Sequence, residues 1–115
     1  MKKTTRVSPD LADLLDMDCN GEGPICRAAR TMNQLSHPHR LRVLCLLVEE
    51  GELSVADLLE RVPLSPSALS QHLSKLKDEG LLRSRRLGKN VYYAIERSDI
   101  MQILELLHRL YCENK

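Results

Sequence analysis

At 115 residues, with 29% charged and 43% hydrophobic side chains and a formal net charge of +1, the chain reads as one small globular domain. Its longest apolar run, Val43–Val48, is too short to span a bilayer, and no apolar segment follows the basic residues of MKKTTRVSPD, so neither a membrane span nor a signal peptide is expected. A cytoplasmic location follows, where four cysteines favour reactive or metal-binding roles over a disulfide framework.

Ser8-Pro9-Asp10 is a good helix start, with Leu11, Leu14 and Leu15 forming a short apolar stripe before Asn20–Pro24 breaks the chain. Residues 1–23 are therefore read as an N-terminal extension, either a docked helix or a mobile arm, ahead of a domain at 24–115. A helix is expected from about Pro24 to Ser36, with Ile25, Ala28, Ala29, Met32 and Leu35 on one side. His37-Pro38 interrupts it, and Pro38 suits the first turn of the next helix. There Leu41–Val48 is apolar almost all round, which predicts a centrally buried helix ended by Gly51. Ser54 caps a third helix whose inner face is Ala56, Leu58, Leu59 and Val62, and Pro63 closes it.

The stretch Ser65–Gly80, SPSALSQHLSKLKDEG, organises the rest. Ser65 caps, Pro66 fits the first turn and Gly80 stops the helix. Leu69, Leu73 and Leu76 fall on one stripe that must face a core. Ser67, Gln71, Ser74 and Asp78 lie opposite, flanked by Ser70 and Lys75. Short hydroxyls, an amide and a lysine let a helix approach the DNA major groove closely and offer donors and acceptors there. Two short helices joined by a tight turn, the second polar outside, form a helix-turn-helix.

Leu81–Arg86 and Val91–Ile95 read as strands joined by the loop Leu87–Asn90, a β-hairpin with Arg85, Arg86 and Lys89 clustered at its tip. Such a hairpin is a wing able to touch phosphate or enter the minor groove. The charge distribution agrees. Between Leu64 and Arg97 the basic residues are Lys75, Lys77, Arg83, Arg85, Arg86, Lys89 and Arg97, against Asp78, Glu79 and Glu96. The absence of Phe and Trp disfavours single-stranded partners. Ser98 with Asp99 caps a last helix running to about Cys112, and its Ile100, Ile103, Leu104, Leu106, Leu107, Leu110 and Tyr111 cover more than half the wheel. One small domain cannot bury so much, so a homodimer is expected, reading an inverted-repeat operator in double-stranded DNA. The fold class is mainly α with a small β-hairpin, a winged helix-turn-helix.

LSHPHRLRVLCLL, ELSVADLLERVPLSPSALSQHLSKLKDEGLLRSRRLGKNVYYAI and the closing helix resemble the ArsR/SmtB family of dimeric winged-helix repressors, over roughly residues 25–112. The resemblance implies DNA binding that weakens when an inducer engages a sensor site. Arsenic-type members carry a cysteine pair where this chain has Ser54 and Ala56. Zinc-type members carry Asp-x-His on the last helix, where this chain has Asp99 and Met101, with Cys112 and Lys115 at the later positions. Neither set is complete, so no metal site and no cofactor is expected. Cys45 within LCLL and Cys112 within LYC are similar to the persulfide- and oxidant-responsive branch. In that branch the corresponding cysteines are bridged by a disulfide or polysulfide, and DNA is released. Arg42 before Cys45, and His108 and Arg109 before Cys112, are placed to favour thiolates.

One rival is a metal-sensing repressor, for zinc or a soft metal, using Cys19 and Cys26 with a histidine such as His37 or His39, although their spacing is looser than a zinc ribbon's. A thiol enzyme is the other. The chain has no Cys-x-x-Cys and no Gly-rich phosphate loop, so it is not read as an enzyme.

Overall fold

A computed structural model describes residues 23–112; the N-terminal stripe, Cys19 and Lys115 lie outside the described residues. Two compact units divide the chain, one ending at Asn33 and the other starting at Gln34. Helix α1 (Pro24–Leu35) runs through that boundary, and the Arg27 N–H donates to the Gly23 carbonyl at 3.0 Å to open it. In its first part Cys26 is buried and disulfide-bonded, while Ala28, Ala29 and Met32 are exposed.

The second unit contains helices α2 (Pro38–Glu50), α3 (Val55–Arg61), α4 (Pro66–Asp78) and α5 (Ser98–Tyr111), and strands β1 (Leu53–Ser54), β2 (Leu82–Leu87) and β3 (Asn90–Ile95). The local signals that start and stop these helices are visible atom by atom. Ser54 Oγ accepts from the Asp57 N–H at 3.0 Å, and Ser65 Oγ accepts from the Ala68 N–H at 3.1 Å. At the end of α4, Gly80 takes φ +84°, its N–H donates to the Lys77 carbonyl and the Leu81 N–H donates to that of Leu76. This is the paired bonding of a Schellman motif, and a left-handed glycine makes it possible. Leu69, Leu73 and Leu76 are then buried together with Val43, Leu44 and Leu47 of α2 in one core.

The sheet is antiparallel with order β1-β3-β2. The hairpin is tighter than the expected four-residue loop: Leu87 pairs with Asn90, leaving Gly88-Lys89 as a two-residue turn. Gly88 at φ +64° supplies the positive φ that such a turn needs at its first position. Strand β1 is too short to announce itself in sequence. It exists because Leu53 and Ser54 find Tyr93 and Tyr92 on β3.

Two further expectations are corrected. The cap of α5 is Arg97, not Ser98, and Arg97 instead grips Asp99 through Nε at 3.2 Å and a terminal nitrogen at 2.9 Å. Helix α2 is not buried all round: Val43, Leu44 and Leu47 are, whereas Arg42 and Cys45 are exposed and Leu46 and Val48 half-buried. Its apolar sequence therefore covers a core on one side and leaves a second face open. Among the described residues no helix is long and apolar enough to cross a membrane.

Candidate nucleic-acid interface and thiol pair

Burial of the three leucines turns the opposite side of α4 outward, and Ser67, Ser70, Gln71, Ser74 and Lys75 are all exposed on it. Lys77 Nζ donates to Ser84 Oγ of β2 at 2.8 Å, joining this helix to the hairpin. Side chains alternate across β2, so Arg86 shares the face of Ser84 and Leu82 while Arg85 emerges on the other. That difference sets their chemistry. Arg85 makes two hydrogen bonds to the Glu52 carboxylate, at 2.7 and 2.8 Å, and its guanidinium lies 5.0 Å from the centre of the Tyr92 ring directly across the ladder. The hydrogen bond from Arg85 holds the Glu52 carboxyl below its usual value, and the carboxylate in turn pushes Arg85 up. Arg85 is thus engaged within the protein. Arg86 and Lys89 are exposed and, among the described residues, have no ion-pair partner.

Behind α4 lies a polar cluster that the sequence did not announce. Arg40 of α2 is a buried charge, 9% exposed. Its Nε donates to His72 Nδ1 at 3.0 Å and a terminal nitrogen donates to Gln34 Oε1. The His37 ring is centred 6.0 Å from that of His72, and His39 Nδ1 is buried with no hydrogen-bond partner among the described residues. Partial burial, followed by the charge of Arg40 and those of His37 and His39, lowers the pKa of His72. Placed at the edge of the leucine stripe, His72 joins α4 to α2.

Cys45 and Cys112 are both free thiols and both exposed. Cys112 follows the last turn of α5, its N–H donating to the His108 carbonyl at 2.8 Å. Partial shielding of the sulfur raises the pKa of Cys45, and negative charge on Cys112 and then on Glu49 adds to the rise. The structure therefore brings the two cysteines into electrostatic range, though they stand far apart in sequence. The expectation that Arg42 would favour a Cys45 thiolate is overturned: the shift runs the other way, so Cys45 stays protonated at neutral pH.

Two of the positions weighed as metal ligands are engaged within the protein. Ser54 is spent as a cap and Asp99 is held by Arg97, whose hydrogen bonds lower its pKa. Among the described residues, no group of three or more His, Cys, Asp or Glu could hold a metal ion. Cys26 is in a disulfide, and a disulfide sulfur is not a thiolate ligand.

Comparison with known proteins agrees with this geometry. The profile described as "Bacterial regulatory protein, arsR family" matches residues 37–84, from the start of α2 into the wing. The transcriptional activator HlyU of Vibrio cholerae is 40% identical over 87 residues, which cover 76% of this chain and 80% of HlyU. A biofilm growth-associated repressor of Xylella fastidiosa is 34% identical over 84 residues, 73% of each chain. The solved structure of HlyU from Vibrio cholerae superposes with a TM-score of 0.73 at 38% identity, covering 84% of this chain and 99% of that one. With its winged helix-turn-helix and these relatives, the chain belongs to the ArsR family of bacterial transcriptional regulators.

Proposed function

We propose that this regulator is a dithiol-based repressor that responds to reactive sulfur or oxidants and releases operator DNA when Cys45 and Cys112 are bridged. The observation that carries the reading is the pairing of two exposed, free thiols from α2 and α5, close enough for the charge of one to shift the other. Cys45 is held as a thiol, so the first attack is assigned to Cys112. Its thiolate takes the outer sulfur of a low-molecular-weight persulfide, giving a persulfide on Cys112 and releasing the parent thiol. Cys45 then attacks the inner sulfur, forming the Cys45–Cys112 disulfide and releasing hydrogen sulfide. If Cys45 has itself been converted to a persulfide, the same displacement gives a trisulfide and hydrogen sulfide. A bridge of either length ties α2 to α5 and biases the element that spaces the two reading helices.

Homodimerisation is part of the proposal. Leu106, Leu110 and Tyr111 are 46%, 53% and 76% exposed, an apolar strip on α5 that a second subunit would cover. The dimer presents two copies of α4 to an inverted repeat, with Ser67, Ser70, Gln71, Ser74 and Lys75 at base edges and phosphates. Arg86 and Lys89 of each wing add backbone contacts, and Arg85 supports the wing from within. The protein acts in the cytoplasm, where its DNA lies.

The experiment is operator binding by the reduced protein with and without a persulfide donor, paired with mass spectrometry of the products. Release of DNA together with a Cys45–Cys112 cross-link carrying zero or more extra sulfur atoms is expected, and Cys112→Ser should abolish both. A response that survives Cys112→Ser would refute the proposal.

A further inference from the structure

We infer that Arg40 is a positioning residue for DNA recognition: it clamps the reading helix through His72, and the clamp exists only while His72 is neutral. The inference rests on α4 being the helix that reads DNA, and it is independent of the thiol chemistry.

The geometry is specific. A buried guanidinium normally has a carboxylate beside it, because an unpaired charge away from water is costly. Among the described residues Arg40 has no acidic partner. Its hydrogen bonds go to two neutral acceptors, Gln34 Oε1 at the end of α1 and His72 Nδ1 in the middle of α4. The second bond crosses between the helix that opens the core and the helix whose outer face carries Gln71. Because Arg40 can only donate, His72 must offer a lone pair at Nδ1, which places its own proton on Nε2. Protonation of His72 would turn Nδ1 into a donor aimed at a donor and set a second cation against Arg40. Among the described residues no acidic group acts on His72; Arg40, His37 and His39 all oppose its protonation. The clamp must therefore open on acidification, freeing α4 to shift against α2 and leaving Arg40 without one of its two acceptors.

The direction of this effect is diagnostic. Protonating histidines ordinarily strengthens binding to a polyanion, whereas opening the clamp weakens it. The ligand is a duplex selected from a random-sequence library at about pH 8. Its affinity is measured by fluorescence anisotropy at constant salt and under reductant down to about pH 4.5, below the ordinary histidine range, because the His72 value is lowered. The wild-type protein should lose at least about fivefold in affinity toward acid, consistent with loss of a hydrogen bond to a charged group. His72→Asn puts an amide oxygen near the position of Nδ1 and cannot titrate, so it should bind within about twofold of wild type at pH 8 and stay nearly flat. His72→Gln reaches the Nε2 position instead, misses Arg40, and should bind more weakly throughout. Nitrogen-15 NMR of His72 should show the neutral tautomer protonated at Nε2. Constant or rising wild-type affinity in acid, equal acid loss in His72→Asn, or the opposite tautomer would overturn the clamp. Gln71→Ala is run beside them. If it leaves base preference unchanged, the reading-helix assignment falls and takes this inference with it; if it changes preference while His72→Asn tracks wild type in acid, the clamp alone fails.

Discussion

Removing Lys89 and removing Arg85 should have different consequences for the salt dependence of operator binding, although both are cations of the same wing. Each phosphate neutralised by a protein cation contributes about 0.9 to the slope of log affinity against log salt on duplex DNA. A dimer carries two wings, so Lys89→Ala should flatten the slope by about 1.8, which between 50 and 200 mM salt corresponds to about a twelvefold smaller loss of affinity. Arg85→Ala should leave the slope unchanged, because two hydrogen bonds of 2.7 and 2.8 Å already give its guanidinium to Glu52. Glu52→Gln removes the competing carboxylate and should steepen the slope, turning Arg85 into a DNA ligand. Glu52 has a depressed pKa in the folded protein, so its contribution is present above the ordinary carboxylate value and is lost as pH falls through the depressed one; near neutrality Arg85 stays locked. The assay is a salt titration of anisotropy-detected binding for the three variants, with circular dichroism confirming that each is folded. If Arg85→Ala flattens the slope as much as Lys89→Ala, the Glu52 pair does not survive on DNA and the division of labour within the wing is wrong.

The thiol assignment predicts that alkylation of Cys45 by iodoacetamide, followed by peptide mass spectrometry across pH, is slow at neutral pH and has a midpoint above the ordinary thiol value; a midpoint below it would contradict the shielding and the neighbouring charges. Leu76→Ala, at a position with no exposure, should cost about 2–5 kcal/mol and show as a clear fall in melting temperature, and a loss under about 0.5 kcal/mol would mean that α4 does not pack as described. Leu110→Glu should leave the fold intact and shift the protein from dimer to monomer in light scattering after gel filtration; a dimer of unchanged stability would place the interface elsewhere. The lowered pKa of His72 means that the unfolded chain binds its proton first, so stability should fall as pH drops below the ordinary histidine value, and His72→Asn should remove that part of the decline.

Short-range signals account for most of what could be read from the residues alone. Ser54 and Ser65 cap because a side-chain oxygen reaches the N–H three residues ahead, and Gly80 stops α4 because a left-handed residue must follow it. The leucine stripe of α4 sets which side is buried, and with it which of Ser67, Ser70, Gln71, Ser74 and Lys75 meet solvent. The surplus apolar surface of α5 was equally legible, since a helix wheel shows how much a single core can take. Apart from the unannounced strand β1, the errors of the reading were ones of partner or extent. Arg97 displaced Ser98 as cap, and the hairpin turn proved two residues shorter because Leu87 and Asn90 could still pair.

Contacts between residues remote in sequence are different, because periodicity says which way a side chain points but not what stands opposite. Nothing near Arg85 in sequence foretells that Glu52, 33 residues earlier, will take its guanidinium; β1 lying beside β3 decides that. Nor does the apolar run around Cys45 reveal that its sulfur has an open face within range of Cys112. His72 and Arg40, 32 residues apart, become one hydrogen-bonded unit only when α4 packs on α2. The local code thus determined the helices, the wing and the face of α4 left to solvent, through interactions within a few residues. Packing alone decided which charges are neutralised and which thiols come within electrostatic range, because electrostatics depends on distance through space and not along the chain.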